Sequence, residues 1–211
     1  MAPTSPSTAR ASLCAWAEAV SATPSGPTAH HLPGFSAPAV GFEQPFAMLE
    51  ACHERVQRTL ALLARLRAHV RQHGADTDAR QAARDVLRYF DLAAPLHHED
   101  EELHVFPPLL AGDDAVLRRV VQRLQQDHRD MEAAWVAARA ALASVTQAPP
   151  AGWAHFSAPE EATLTGFTRL YDRHLRDEDG LVYPAAKAGL SPKALQAMSA
   201  DMMRRRGLAM G

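Results

Sequence analysis

Cysteine is nearly absent: Cys14 and Cys52 are the two in 211 residues. Two thiols cannot build a disulfide framework, and the count fits a reduced compartment. No run of about 18 apolar residues occurs, so nothing in the chain reads as a membrane span. Neither sign of charge dominates: 22 Lys and Arg against 24 Asp and Glu leave a formal net charge of −2. That balance removes the electrostatic case for nucleic acid or anionic lipid as a partner. The N-terminus has no basic stretch followed by an apolar core, so no secretory signal is expected and the chain reads as cytoplasmic. Strand-like alternation of useful length is missing too, as are a nucleophile triad, a phosphate loop and any nucleic-acid motif.

Histidine, by contrast, is plentiful, with 11 residues. Two stretches say nearly the same thing. His97-His98-Glu99-Asp100-Glu101-Glu102-Leu103-His104-Val105-Phe106-Pro107 aligns without a gap on His174-Leu175-Arg176-Asp177-Glu178-Asp179-Gly180-Leu181-Val182-Tyr183-Pro184. Each reads His, three residues, Glu, three residues, Val, an aromatic, Pro. A His and a Glu four apart share one helix face, because the helix turns every 3.6 residues. Two such pairs on two helices can meet at one point, which is the pattern of a metal site, and of two metals.

Residues 1–45 are rich in Pro, Ser, Ala and Gly and read as an irregular segment with a short helix near Ala11–Val20. His30 and His31 fall in it and are read as solvated. Four helices are expected next. The first runs from about Phe46 to Gln72, with Leu49, Val56, Leu60, Leu63, Leu66 and Val70 on its stripe and His73-Gly74 as its stop. The second runs from about Thr77 to His104, capped by Asp76 or Thr77, with Pro95 as a kink or break and Phe106-Pro107-Pro108 ending or bending it. The third spans Asp114 to Thr146, and the fourth begins at Pro159-Glu160-Glu161 and ends at Tyr183-Pro184. A last polar helix follows from Ser191 to about Arg206. Its Met198, Met202 and Met203, beside Arg204-Arg205-Arg206, read as an amphipathic cap on the bundle, with a docking stripe as the alternative. The expectation is an all-α chain: an up-down-up-down four-helix bundle over 46–188, flanked by 1–45 and by 189–211.

Each main helix carries a His where an apolar core residue belongs: His53, His97, His128 and His174. Glu101 and Glu178 lie on the same stripes. A buried, unpaired carboxylate is very costly. Two of them among four imidazoles make sense if cations neutralise the carboxylates and neutral imidazoles act as ligands. Two bridging carboxylates with two imidazoles per ion suit iron, manganese or a mixture, while tetrahedral zinc favours more sulfur or three nitrogens. Cys52, about 100° round the helix from His53, is not expected to ligate. His69, His73, His104 and His155 have no partner pattern.

These residues resemble the hemerythrin family, and within it the bacterial HHE cation-binding domains, over about residues 46–188. The resemblance rests on His53, the His97–Glu101–Phe106-Pro107 block, His128, and the His174–Glu178–Tyr183-Pro184 block. It implies an oxo- or hydroxo-bridged non-haem centre of two Fe ions, with Mn or Zn ranked behind. Glu101 and Glu178 would bridge the ions, and His53, His97, His128 and His174 would supply nitrogens. There is one departure: oxygen-carrying hemerythrins usually have a second His four residues after that of the third helix, and here Glu132 stands there. Two His, two carboxylate oxygens and a bridging oxygen make about five donors per ion and leave one position open.

The resemblance implies a protein that binds or senses dioxygen, nitric oxide or peroxide and, as a sensor, acts through a protein partner. The competing implication is an enzyme or iron-handling protein: peroxide or nitric oxide reduction, iron–sulfur repair, or storage. Glu132 reads as solvated or as a support to a ligand, and proton delivery would fall to Tyr171 or Glu132. The register His98/Glu102 competes with His97/Glu101, with Glu99 a further candidate; the alignment through Pro107 and Pro184 selects His97 and Glu101. Asp179 is the matching alternative in the fourth helix. A ferritin-like reading through Glu50–His53 and Glu101–His104 leaves His97, His128 and His174 without roles.

Overall fold

Capping chemistry and apolar stripes set the helix ends in a computed structural model that describes residues 41–146 and 153–208. Helix α1 spans Pro45–His73. It stops where Gly74 takes φ +70, a conformation only glycine adopts freely, and donates its N–H to the Val70 carbonyl at 2.9 Å. Helix α2, Thr77–Arg88, starts at Asp76, whose side chain accepts from the Ala79 N–H. The chain then runs through α3 (Ala94–Asp100), α4 (Phe106–Ala111), α5 (Ala115–Thr146), α6 (Ala158–Asp177), α7 (Tyr183–Gly189) and α8 (Pro192–Arg205). Ser157 and Glu160 form a reciprocal capping box at the start of α6. Ser191 caps α8 through the Ala194 N–H. The regular elements among the described residues are all helical, without strands. The expected helix near Ala11–Val20, together with His30 and His31, lies outside them.

The fourth helix does not end at Tyr183-Pro184 as expected, and of the two outcomes expected at Phe106-Pro107-Pro108, an end or a bend, the second helix does not end there. Three π turns, Tyr89–Ala93, Glu101–Val105 and Glu178–Val182, each precede a proline by the same offset: Pro95, Pro107 and Pro184. A proline inside an α-helix lacks its N–H and drives its ring into the carbonyl of the preceding turn. The wider π turn relieves that clash and lets the helix continue, so the second helical run reaches Ala111 and the fourth reaches Gly189. Two of the π turns open at Glu101 and Glu178 themselves.

Residues 49–190 form one compact unit, and the described residues 41–48 and 191–208 belong to a second. In the larger unit α5 packs against α2 and α6, and α4 packs against α5 and α7. Arg67 of α1 reaches α6, donating from Nε to Glu161 at 2.6 Å and from its guanidinium to Thr165 at 2.7 Å. The apolar core gathers Leu63, Leu66, Val86, Phe90, Leu142, Leu164, Phe167 and Tyr171. Phe90 and Phe167 meet edge to face at 4.9 Å, a favoured aromatic geometry. The Trp135 indole N–H donates to Asp91 at 2.9 Å. In the smaller unit Met198 and Met202 are buried, and the Ser199 hydroxyl donates to the Phe42 carbonyl at 2.6 Å.

Candidate metal centre

His53 replaces a core residue on the buried face of α1, between Leu49 and Val56. His97 comes from α3, His128 from α5 and His174 from the last turn of α6. All four are buried, and Glu101 and Glu178 are fully inaccessible at 0% exposure. Two groups of donors form, each with its atoms within 4.8 Å of one another. One holds His53, His97, Glu101 and Glu178; the other holds His98, His128 and His174.

The two carboxylates span these groups oxygen by oxygen. Glu101 Oε1 lies 3.6 Å from His97 Nε2 and 3.9 Å from His53 Nε2, while its Oε2 lies 3.5 Å from His128 Nε2. Glu178 Oε2 lies 3.2 Å from His53 Nε2, while its Oε1 lies 3.0 Å from His174 Nε2 and 3.7 Å from His128 Nε2. Close as they are, His97 Nε2, His128 Nε2, His174 Nε2, Glu101 Oε2 and both oxygens of Glu178 make no hydrogen bond. Buried polar atoms left unpaired are costly, and so many converging on one spot need a partner that is not another side chain. Imidazole nitrogens and carboxylate oxygens are the donors that suit first-row transition metals, so the residues present fit a metal.

The imidazoles are oriented from behind, and the repeat does this twice. His53 Nδ1 bonds Asp179 at 2.7 Å, and His128 Nδ1 bonds Glu102 at 3.1 Å. Asp179 and Glu102 each follow the interior glutamate of their block by one residue, so each block's second acid serves the His of a different helix. Asp127 lies 3.5 Å from His174 Nδ1. The aromatic before each proline is also used alike in both blocks. Tyr183 stacks on His53 at 5.1 Å and 17°, and Phe106 on His128 at 5.5 Å and 20°. Carboxylates behind metal-bound imidazoles fix ring orientation and raise basicity, and losing one typically weakens metal affinity 10–100-fold. Asp179→Ala should therefore lower affinity by about that factor without abolishing loading. A competitive chelator titration against wild type checks it, and unchanged affinity would contradict the orienting role.

The electrostatics of the metal-free centre are those of a proton trap. Burial opposes protonation of His53, but Asp179, Glu178 and Glu101 outweigh it and raise its pKa to about 10. His128 is raised to about 11 against burial, by Glu101, Glu102 and Glu178. His174 is raised to about 9 against burial, by Glu178 and Asp127. Burial pushes His97 and His98 well below the usual imidazole value. Burial, then the charge of Glu178, raises Glu101; Glu178 itself is held low despite burial by His174, His128 and His53. Burial and the two glutamates push the Tyr183 phenol up.

All six expected side chains converge, and three further features appear. His98, the alternative register, also faces inward: it stacks on His128 at 4.0 Å and 10° and joins His128 and His174. Glu102, by contrast, sits behind His128, and Asp179 behind His53. Tyr183 enters the centre, its hydroxyl donating to Glu101 Oε1 at 2.5 Å and lying 3.0 Å from His53 Nε2. Its signal in the sequence is the aromatic of the repeated block.

Glu132 and Glu99 are exposed, and Cys52, half-buried, belongs to neither donor group. Glu50 is exposed and pairs with Lys187, so the Glu50–His53 pairing does not form at the centre. His69 bonds Asp76 at 2.9 Å near the end of α1, and His155 is exposed. No helix among the described residues is long and apolar enough to cross a membrane.

An all-helical scaffold with a buried His/Glu cluster on facing helices defines a metal-binding helical bundle. The chain matches the hemerythrin HHE cation-binding domain over residues 44–186, and it belongs to that family. An uncharacterized protein of Haemophilus influenzae is 28% identical over 165 residues, 78% of this chain and 91% of its own length.

Proposed function

We propose that this chain holds two iron ions in one carboxylate-bridged centre and uses them to bind or sense a small ligand: dioxygen, nitric oxide or peroxide. The functional domain in this reading is the up-down-up-down bundle of residues 46–188. The single observation behind it is the division of oxygens: one oxygen of Glu101 and of Glu178 faces each group of imidazoles. A carboxylate so divided suits two cations held side by side, and an acid/imidazole donor set without thiolate suits iron. His53 and His97 would hold one ion, and His128 and His174 the other. His98 would supply the fifth imidazole from the second helical run, compensating for Glu132 in the third helix. An iron pair supplies redox chemistry and sites for small ligands. The protein supplies a water-poor interior, fixed imidazole orientation and charge balance from Glu101 and Glu178.

The test is metal analysis on protein produced with iron, followed by mixing the reduced form with dioxygen while absorbance is recorded. Two irons per chain and a ligand-dependent absorption change are expected. One zinc, or no metal, overturns the iron-pair reading. A reversible band identifies binding, and rapid irreversible oxidation identifies sensing, storage or catalysis.

A further inference from the structure

The two halves of the centre are related by the sequence repeat, and where they differ they complement each other. Superposing the blocks pairs His97 with His174, Glu101 with Glu178 and Phe106 with Tyr183. It also pairs His98 with Leu175. One half thus has an extra imidazole where the other has a hydrocarbon. The other half has a phenol where the first has a plain phenyl ring. Stacking on the imidazole is common to Phe106 and Tyr183, so packing alone does not require the hydroxyl.

That hydroxyl touches two members of the first donor group, His53 and Glu101. With metal–ligand bonds of about 2.1 Å, neighbouring donors of an octahedron lie about 3.0 Å apart. His53 Nε2 lies 3.0 Å from the Tyr183 oxygen and 3.2 Å from Glu178 Oε2. The Tyr183 oxygen lies 2.5 Å from Glu101 Oε1. The first two match the spacing of atoms sharing one cation, the third is that of a short hydrogen bond, and Tyr183 is 1% exposed. We propose that the phenolic oxygen of Tyr183 is a protein ligand of the cation held by His53, His97, Glu101 and Glu178. The proposal rests on the iron-pair reading and deepens it. Each ion then has five protein donors: Tyr183, two imidazoles and two carboxylate oxygens on one side; His98, His128, His174 and two carboxylate oxygens on the other. The phenolic O–H bond breaks as the oxygen–cation bond forms, and the proton leaves to solvent, as protons do when ligands take up metal. With these donors and a bridging oxygen an octahedral ion would be full, so a small ligand would have to displace one of them.

The experiment uses the full chain loaded aerobically with iron. A phenolate bound to ferric iron absorbs visible light by charge transfer, and excitation there enhances ring modes in the resonance Raman spectrum. Tyr183→Phe should retain two irons by metal analysis and lose the visible band. Tyr89→Phe and Tyr171→Phe should keep it; the chain has three Tyr. Should Tyr183→Phe fail to fold or load, wild type made with ring-deuterated tyrosine decides. Shifted ring modes support tyrosine ligation, and Tyr89→Phe and Tyr171→Phe assign it to Tyr183. Two irons in wild type with no tyrosine-dependent band overturns the ligand assignment and leaves the iron pair standing. Fewer than two irons in wild type overturns both.

Discussion

Glu178→Ala should empty the whole centre, taking iron from two per chain to nearly none. The reason is geometric: this carboxylate is near His53 Nε2 through one oxygen, at 3.2 Å, and near His174 Nε2 through the other, at 3.0 Å. Truncating it removes a donor from both ions and one of the two interior negative charges that balance them. An uncompensated buried charge costs several kcal/mol even after relaxation, on the order of the difference between tight binding and none. Glu101→Ala should behave alike, because its oxygens divide between His97 and His128. His174→Ala touches one donor group and should spare part of the loading. Glu132→Ala, on an exposed position, should leave loading at the wild-type level. Metal analysis after expression with iron, on all four variants, checks the set. Full iron in either glutamate variant would refute bridging.

Which parts of this centre the sequence could reveal follows from what periodicity reports. A His or Glu on an otherwise apolar stripe is visible because the stripe is regular, and His53, His128 and the two His–Glu pairs stand out that way. The four-residue step of each pair survives because α3 and α6 are α-helical up to the glutamate. Beyond Glu101 and Glu178 the step changes. A π turn inserts one residue into the face count, so a 3.6-residue wheel misplaces everything downstream, including Tyr183 and Phe106. The signal that marks these turns is the proline six residues after each turn begins, at Pro95, Pro107 and Pro184. His98 is legible as a competing register to His97, but not as a further inward residue beside it, for a related reason. It lies about 100° from His97 on a regular helix. Yet α3 is a seven-residue segment held between two π turns, where a face assignment carried in from either side fails. The supporting acids Glu102 and Asp179 are plain in the aligned repeat. Their contacts run between helices, and that pairing is tertiary information.

Metal-free protein should lose stability as pH rises from about 7 to 11, and loading should remove that loss. Without cations, His53, His128 and His174 hold protons in the folded state up to about 10, 11 and 9. The unfolded chain gives up the same protons near the ordinary histidine value of about 6.5. A group whose folded pKa is raised contributes stability that is complete below the unfolded value and lost as pH passes the folded one. Three such groups in one interior, with Glu178 held low beside them, place the decline on the alkaline side. His97 and His98, pushed below the usual value, act in the opposite sense, but only below about 6.5, where the unfolded chain would protonate them. They therefore shape the acid limb and not the alkaline one. Iron needs the same nitrogens unprotonated, so its uptake displaces protons and strengthens with pH. The gap in melting temperature between loaded and chelator-treated protein should widen steadily between pH 7 and 10, since stabilisation by a bound species grows with its affinity. Loading near pH 7 should release protons, read by a pH indicator in weakly buffered solution. A metal-free melting temperature that stays level or climbs across that interval would show that the interior histidines do not carry the charge the cations replace.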